Sequence, residues 1–324
     1  MARVVRIHGY GKPEVLRIEE VPVGRPGPGE VRLRQTFVGL NFVEVYFRRG
    51  TFPVPSFPWP LGNEAAGVVE EVGTNVTEVK AGDRVVYADG PLGAYATERL
   101  YPADRLVPIP DNVSDEQAAT VFLKGMTARY LLKEVVPLLA GDSVLFQAAA
   151  GGVGAIFVRW ARALGIRVIG TLSTKEKAAF AREAGCVAVI DRSRENVGDR
   201  VRALTEGRGV KAAFDSVGRD TFRASLDALA LRGTLVAFGK ASGEPEPLAP
   251  FELAPRSLFV TWPILPVYTA SRGQLLAAAS DLFSAVAEEY VDARPRRVYA
   301  FDEIVQAQRD LENGRTTGAA VLRI

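Results

Sequence analysis

The segment Ala148-Ala-Ala-Gly-Gly-Val-Gly154 is the first place where residue type and spacing point to chemistry. It lies between an apolar stretch, Ser143 to Gln147, and a helical pattern, Ala155 to Leu164. Strand, glycine-rich turn and helix in that order aim backbone N–H groups and a helix N-terminus at one point, where a pyrophosphate can sit. Read strictly, the motif is Ala149-x-Gly151-x-x-Gly154, with alanine in the first glycine slot. By itself it is equally a sharp strand-to-helix turn that binds nothing. In a nucleotide-binding reading, Gly151, Gly152, Val153 and Gly154 contact the ligand.

The second pattern bears on which dinucleotide would bind. In such folds an acid about 20 residues after the turn holds the ribose 2′-hydroxyl of NAD. Here that stretch is Thr171-Leu-Ser-Thr-Lys-Glu-Lys177, and no acid ends the strand. Hydroxyls and cations stand there instead: Thr171, Ser173, Thr174, Lys175 and Lys177, with Arg192 after the next strand. A 2′-phosphate is met by such donors through charge-assisted hydrogen bonds, so NADPH is the expected cofactor. Glu176 is expected to face solvent, and the bland reading of the lysines is a solvated helix start.

The inventory excludes other chemistry. The chain has one His and one Cys, His8 and Cys186. A four-cysteine zinc site is impossible, and a catalytic zinc is not expected. His8 reads as an ordinary residue near a strand, and Cys186 as a small buried hydrophobe. A net charge of +2 without a basic block gives no reason to expect nucleic acid or an anionic membrane as partner. No signal-peptide pattern or membrane-length apolar run is visible, and the lone cysteine fits a reducing compartment; a cytoplasmic location is expected.

These groups need elements to hold them. At 324 residues and 48% hydrophobic content the chain suits two domains. Residues 1–123 read as β-rich and turn-rich, with strands at Val4–Ile7, Val31–Phe37 and Gly67–Val72. Thr51–Pro60 carries four prolines and is expected as a surface loop. From about residue 124 strands alternate with helices. The strands are Ser143–Gln147, Arg167–Leu172, Val187–Ile190, Ala212–Ser216, Thr234–Gly239 and Leu258–Trp262. The helices are Ala155–Leu164, Lys175–Ala184, Asn196–Thr205 and Thr221–Leu231. This rhythm predicts an α/β fold with a doubly wound parallel sheet. The tail adds a helix at Gln274–Glu289, a strand at Arg297–Ala300, a helix at Phe301–Glu312 and a strand at Ala319–Ile324. It does not continue the rhythm and is expected to return to the first domain.

The chain resembles the zinc-free, zeta-crystallin-like quinone oxidoreductases of the medium-chain dehydrogenases/reductases. The resemblance is essentially full-length. It rests on Tyr10-Gly-Lys-Pro-Glu-Val-Leu16, Gly39-Leu-Asn-Phe42 with Tyr46, Gly62-Asn-Glu64, Ala81-Gly-Asp-Arg-Val85, Lys124-Gly-Met-Thr-Ala128, the turn Ala149–Gly154, Phe214-Asp-Ser-Val-Gly218 and Gly314-Arg-Thr-Thr-Gly318. Each is weak alone; the ordered set is specific. Zinc-dependent relatives carry Cys near Asn41 and usually His at Asn63, and both ligand positions are blank here. Two departures are Arg192, where relatives often have Tyr, and Phe52, just before the proline loop, where Tyr is frequent.

The resemblance implies a GroES-like catalytic domain at 1–123, completed by 264–324, and a Rossmann NADPH-binding domain at 124–263, with the cofactor in the cleft between them. It implies further cofactor contacts at Phe42, Tyr130, Val217, Phe238, Gly239 and Arg315. It also implies a homodimer through the sheet edge at Leu258–Trp262; a monomer with that strand under a loop is the alternative. The implied activity is metal-free hydride transfer from NADPH to a quinone. With no histidine available, the donors for the developing oxyanion are Asn41, Tyr46 and Lys124, with Thr127 holding the carboxamide. Taken alone, Tyr46 in Val45-Tyr-Phe47 reads as a core aromatic and Asn41 as a turn residue. Competing readings are an enone or alkenal reductase and a non-enzymatic NADPH-binding structural or RNA-binding protein.

Overall fold

A computed structural model describes residues 1–172 and 174–324, without the side chain of Lys175. The chain divides into two compact units. Unit one comprises Met1–Met126, Thr269–Ala287 and Ala293–Ile324; unit two comprises Thr127–Tyr268 and Glu288–Asp292.

Unit one opens with β1 (Ala2–Ile7), β2 (Leu16–Val21) and the long β3 (Glu30–Leu40), followed by a short helix, α1 (Val43–Arg49). Then come β4 (Trp59–Pro60), β5 (Glu64–Val72), β6 (Arg84–Ala88), β7 (Glu98–Pro102), β8 (Val107–Pro108) and the helix α2 (Asp115–Tyr130), whose last residues, from Thr127, belong to unit two. The start of α2 is written in Ser114-Asp-Glu-Gln117. The Gln117 N–H donates to Ser114 Oγ at 3.1 Å and the Ser114 N–H to Gln117 Oε1 at 2.9 Å, a reciprocal cap. The proline-rich stretch is a loop for most of its length, but Trp59 and Pro60 pair with Ile7 and Arg6 at the edge of a small sheet. An edge is where a strand tolerates proline, because the missing N–H faces no partner.

Unit two contributes β9 (Ser143–Phe146), α3 (Gly152–Ala163), β10 (Arg167–Leu172), α4 (Ala178–Ala184), β11 (Ala188–Asp191), α5 (Val197–Leu204), β12 (Val210–Asp215), α6 (Phe222–Asp227), β13 (Leu229–Ala237), β14 (Phe259–Thr261) and the single turn α7 (Leu265–Tyr268). Among the described residues these six strands form one parallel sheet in the order β11-β10-β9-β12-β13-β14. The order reverses between β9 and β12, so the turn after β9 sits at the topological switch point, where this fold binds ligands. Central strands are apolar on both faces, as helix-covered parallel strands must be; Val144, Leu145, Ala212, Ala213 and Phe214 are fully buried.

The tail supplies α8 (Arg272–Ala287), β15 (Arg297–Ala300), α9 (Ile304–Glu312) and β16 (Ala320–Arg323). β16 runs antiparallel to β3 and joins the larger sheet of unit one, in which β15-β16-β3-β5-β6-β8 are neighbours and β7 also pairs with β3. That sheet closes over a core that includes Val31, Leu33, Val38, Val85, Tyr87 and Leu322.

Several expected boundaries move. The helix expected over Thr221–Leu231 ends at Asp227, and Leu229 already belongs to β13. The Val210 N–H binds the Ala228 carbonyl at 2.9 Å, which draws the chain into the sheet, and Arg232 takes a left-handed conformation within the strand. The apolar run Leu229-Ala-Leu231 satisfies either period, and pairing decides it. Lys175–Lys177 and Phe301–Glu303 are 3-10 turns preceding α4 and α9 rather than their first α-helical turns.

Candidate active site

In unit one the chain leaves β3 and turns through Asn41 and Phe42 into α1. Two buried carboxyls shape this turn. The Asn41 N–H donates to Glu44 Oε2 at 3.0 Å and the Asn63 N–H to Glu44 Oε1 at 3.1 Å. Glu44 has no exposed surface, and burial pushes its carboxyl up to about 8 against the pull of Lys124. The second carboxyl is Glu64, also fully buried. Its Oε2 accepts from Asn41 Nδ2 at 2.9 Å and from Lys124 Nζ at 3.2 Å, while Oε1 accepts the Leu123 N–H at 2.6 Å. An ammonium and two amide donors meet its charge, the condition under which a carboxylate can be buried.

This arrangement needs a gap in β3. A Cβ at Gly39 would lie 1.9 Å from Glu64 Oε2, so only glycine lets the carboxylate cross the strand.

The other expected residues take definite places. Tyr46, on α1, is buried and packs edge-on against Phe42 and Phe52, with ring centroids 5.4 and 5.1 Å away. Lys124 and Thr127 are three residues apart on α2 and therefore share a face; both are nearly buried. Arg315 is exposed in the loop after α9, with its Nη1 3.8 Å from Asp310.

In unit two the glycine turn leaves β9 through Ala148, which adopts a left-handed conformation with φ 55°. Gly151 stands at the start of α3, and no described side chain caps it. The first N–H groups of the helix are thus left for another acceptor. A Cβ at Gly154 would come within 2.6 Å of the Ala148 carbonyl, so the third glycine is required by the close return of the backbone. Ala149 is fully buried, and a Cβ added at Gly170 of β10 would lie 2.7 Å from its own Cβ.

Ser173 lies outside the described residues. Thr174 is exposed just past β10, and Lys177 is half-buried, its ammonium pulled below the usual lysine range by burial. Arg192 follows β11, and its N–H binds the Leu172 carbonyl at the end of β10 at 3.2 Å. Neither Lys177 nor Arg192 has an ion-pair partner among the described residues. Nearby Arg194 and Arg200 do, with Asp191 at 3.7 Å and Glu195 at 3.4 Å.

Val217, Phe238 and Gly239 follow β12 and β13 at the same carboxyl edge of the sheet as the glycine turn. Asp215 organises this rim. It is fully buried, and its Oδ1 accepts the N–H groups of Val217 at 2.8 Å and Gly218 at 3.0 Å. Its Oδ2 accepts the hydroxyls of Thr221 at 2.8 Å and Ser225 at 2.7 Å. Ser225 continues to Gln147 at 2.9 Å, and Gln147 to Thr171 at 2.5 Å. Tyr130 stacks on Tyr268 with centroids 4.6 Å apart.

Sequence reasoning left Glu44, Glu64 and Asp215 without a role. The signal for Glu64 and Asp215 was present: each is an acid next to an otherwise apolar strand run, Glu64-Ala-Ala and Ala212-Ala-Phe-Asp215.

Among the described residues no group of three or more His, Cys, Asp and Glu side chains could hold a metal ion, and no helix is long and apolar enough to cross a membrane. His8 is exposed beside Glu19. Cys186 is buried and its thiol is pushed up to about 12.

Comparison with known proteins covers both units. Residues 27–111 match the alcohol dehydrogenase GroES-like domain family, and residues 152–266 match the zinc-binding dehydrogenase family. The chain is 45% identical to a quinone oxidoreductase of Pseudomonas aeruginosa over 99% of both chains. It is 43% identical to a 2-haloacrylate reductase of a Burkholderia species, again over 99% of each. The crystal structure of Escherichia coli quinone oxidoreductase complexed with NADPH superposes over 100% of both chains with a TM-score of 0.97 at 40% identity.

Proposed function

Because the chain belongs to the quinone oxidoreductase family of the medium-chain dehydrogenases/reductases, we propose that it is an NADPH-dependent quinone oxidoreductase that works without a metal. One observation carries this reading furthest. Strand β10 ends without an acid, and beyond β10 and β11 stand two cations, Lys177 and Arg192, that no described carboxylate meets. A half-buried ammonium without a counter-ion is a standing cost that a 2′-phosphate would remove.

The residues of unit two fit the rest of the dinucleotide. The cradle at Gly151 and Gly154 has no Cβ in the way, and the uncapped start of α3 offers N–H donors to a pyrophosphate. Thr174, Val217, Phe238, Gly239 and Tyr130 are assigned to the same ligand. When bound, NADPH supplies the hydride equivalent. The protein receives the acceptor with Lys124 and Tyr46 and holds negative charge at its oxygen beside the Lys124 ammonium; Asn41, whose amide nitrogen is turned to Glu64, is assigned to the wall of this site rather than to the oxyanion, and Thr127 to the carboxamide. Asn41 and Asn63 offer amides where a zinc site would need thiolate or imidazole.

We assign the working form to a homodimer in the cytoplasm. Edge strand β14 and its continuation expose Phe259 (60%), Trp262 (44%) and Ile264 (52%), an apolar border that a second copy would cover.

The test follows NADPH oxidation by nicotinamide absorbance against a quinone, an enal and a ketone, with EDTA present. Turnover fastest with the quinone and undiminished by EDTA is expected. Faster turnover of the enal would reassign the chain to double-bond reduction, and tight NADPH binding without turnover would make it a binding protein.

A further inference from the structure

We infer that Glu64 is a positioning residue of the reduction site: its carboxylate fixes which atom of the Asn41 amide is presented, and it anchors the Lys124 ammonium. The inference rests on the reading of unit one as the quinone-receiving site.

An ionised carboxylate only accepts. Glu64 Oε2 lies 2.9 Å from the Asn41 amide and 3.2 Å from Lys124 Nζ. The amide therefore has to turn its nitrogen to Glu64, and its oxygen points the other way. Asn41 has already spent one N–H of that nitrogen and its backbone N–H, the latter on Glu44. What Asn41 turns away from Glu64 is its oxygen, an acceptor suited to a hydroxyl or amide N–H of a ligand, with one N–H of the amide left unspent. The oxyanion donor falls to Lys124, which gives one N–H to Glu64 and keeps two more.

Glu64 can do this because it is itself fixed. Its second oxygen is held by the Leu123 N–H at 2.6 Å, one residue before Lys124 on α2. The glycine at 39 admits the carboxylate across β3. One side chain thus sets the polarity of Asn41 on the turn after β3 and the place of Lys124 on α2.

The test transposes the charge. Glu64→Gln leaves one acceptor oxygen where the carboxylate met three donors, so its nitrogen faces either the Leu123 N–H or the Asn41 amide and Lys124, and in the second case Asn41 flips to offer its oxygen inward. We expect kcat with a quinone to fall roughly 10- to 100-fold, the scale of one charge-assisted hydrogen bond, while NADPH binding by fluorescence and the folded state persist. Asn41→Asp alone sets two buried carboxylates face to face and is expected to lose activity as well. In the double variant Asn41→Asp with Glu64→Gln, the new amide at position 64 donates to the new carboxylate at position 41. An acceptor again faces outward and Lys124 regains a carboxylate partner, so kcat should recover to within about fivefold of the wild type.

A kcat for Glu64→Gln within about twofold of wild type, at the scale of additivity error, would overturn the inference. So would a folded double variant no faster than the single ones. Should Glu64→Gln fail to fold, the double variant is read against Asn41→Asp: recovery supports the inference and equal rates end it. A wild type inert toward every quinone removes the functional reading and this inference together; an active wild type indifferent to Glu64→Gln removes the inference alone.

Discussion

Gly39 and Glu64 share one space: the carboxylate oxygen of Glu64 lies where a side chain at position 39 would begin, 1.9 Å from a Cβ placed there. Gly39→Ala therefore displaces Glu64 without touching it chemically. We predict a loss of stability of about 1–3 kcal/mol, the usual cost of overpacking a core, together with a fall in kcat that mimics Glu64→Gln. Thermal unfolding and steady-state kinetics on one preparation read both effects. Normal kcat in a destabilised variant would separate the packing of Gly39 from the chemistry of Glu64.

On the proposed reading, Lys177 and Arg192, without an ion-pair partner among the described residues, set the preference between cofactors. Lys177→Glu and Arg192→Glu should each raise KM for NADPH by roughly 10- to 100-fold, at about 1.5–3 kcal/mol per lost charged hydrogen bond. KM for NADH should change little. Equal effects on both cofactors would move these residues away from the 2′-phosphate.

Glu44 makes stability depend on pH in a direction unusual for a carboxylate. Its pKa rises from an ordinary 4.5 to about 8 because burial disfavours the charged form. The folded state therefore holds a proton that the unfolded chain has released across that interval. The contribution is fully present below about 4.5 and is lost as pH rises through about 8, at up to about 1.4 kcal/mol per pH unit. Melting temperature should fall as pH is raised across this window. Glu44→Gln, neutral at every pH, should flatten the fall; an unchanged slope would place its origin elsewhere.

Tyr46 sits in an aromatic group with Phe42 and Phe52, so its ring packs whatever its hydroxyl does. Tyr46→Phe keeps the ring. A fall in kcat of roughly tenfold, about 1.4 kcal/mol, with unchanged stability would assign the hydroxyl to the acceptor. Unchanged kinetics would leave Tyr46 a core residue.

Much of this is legible in the sequence. Arg167–Leu172 and Arg297–Ala300 were located to the residue, because a β-branched or apolar run bounded by turn signals admits few alternatives. Leu229–Leu231 was misread because an apolar triplet has no period, and its pairing partner Val210 lies far back in the chain. The glycines of the turn after β9 and the cations after β10 are visible as residue types. The carboxylates were not, because an acid in a sequence reads first as surface. Glu64 owes its burial to Gly39, 25 residues earlier, and to Lys124, 60 residues later. Such coincidences become visible only when strands are paired.

The alanine in the first glycine slot has a last consequence. Position 170 is closed from two sides: a side chain there would meet the Ala149 Cβ and Cys186 Sγ, each at 2.7 Å. Restoring a glycine at 149 opens one side only, and shrinking residue 186 opens the other, each leaving a small void on its own. Any lineage that exchanges this turn for the three-glycine form and fills position 170 must cross those weakened intermediates in some order. The turn and the strand beside it are sterically coupled, and single substitutions at any of the three positions will understate what the set can tolerate.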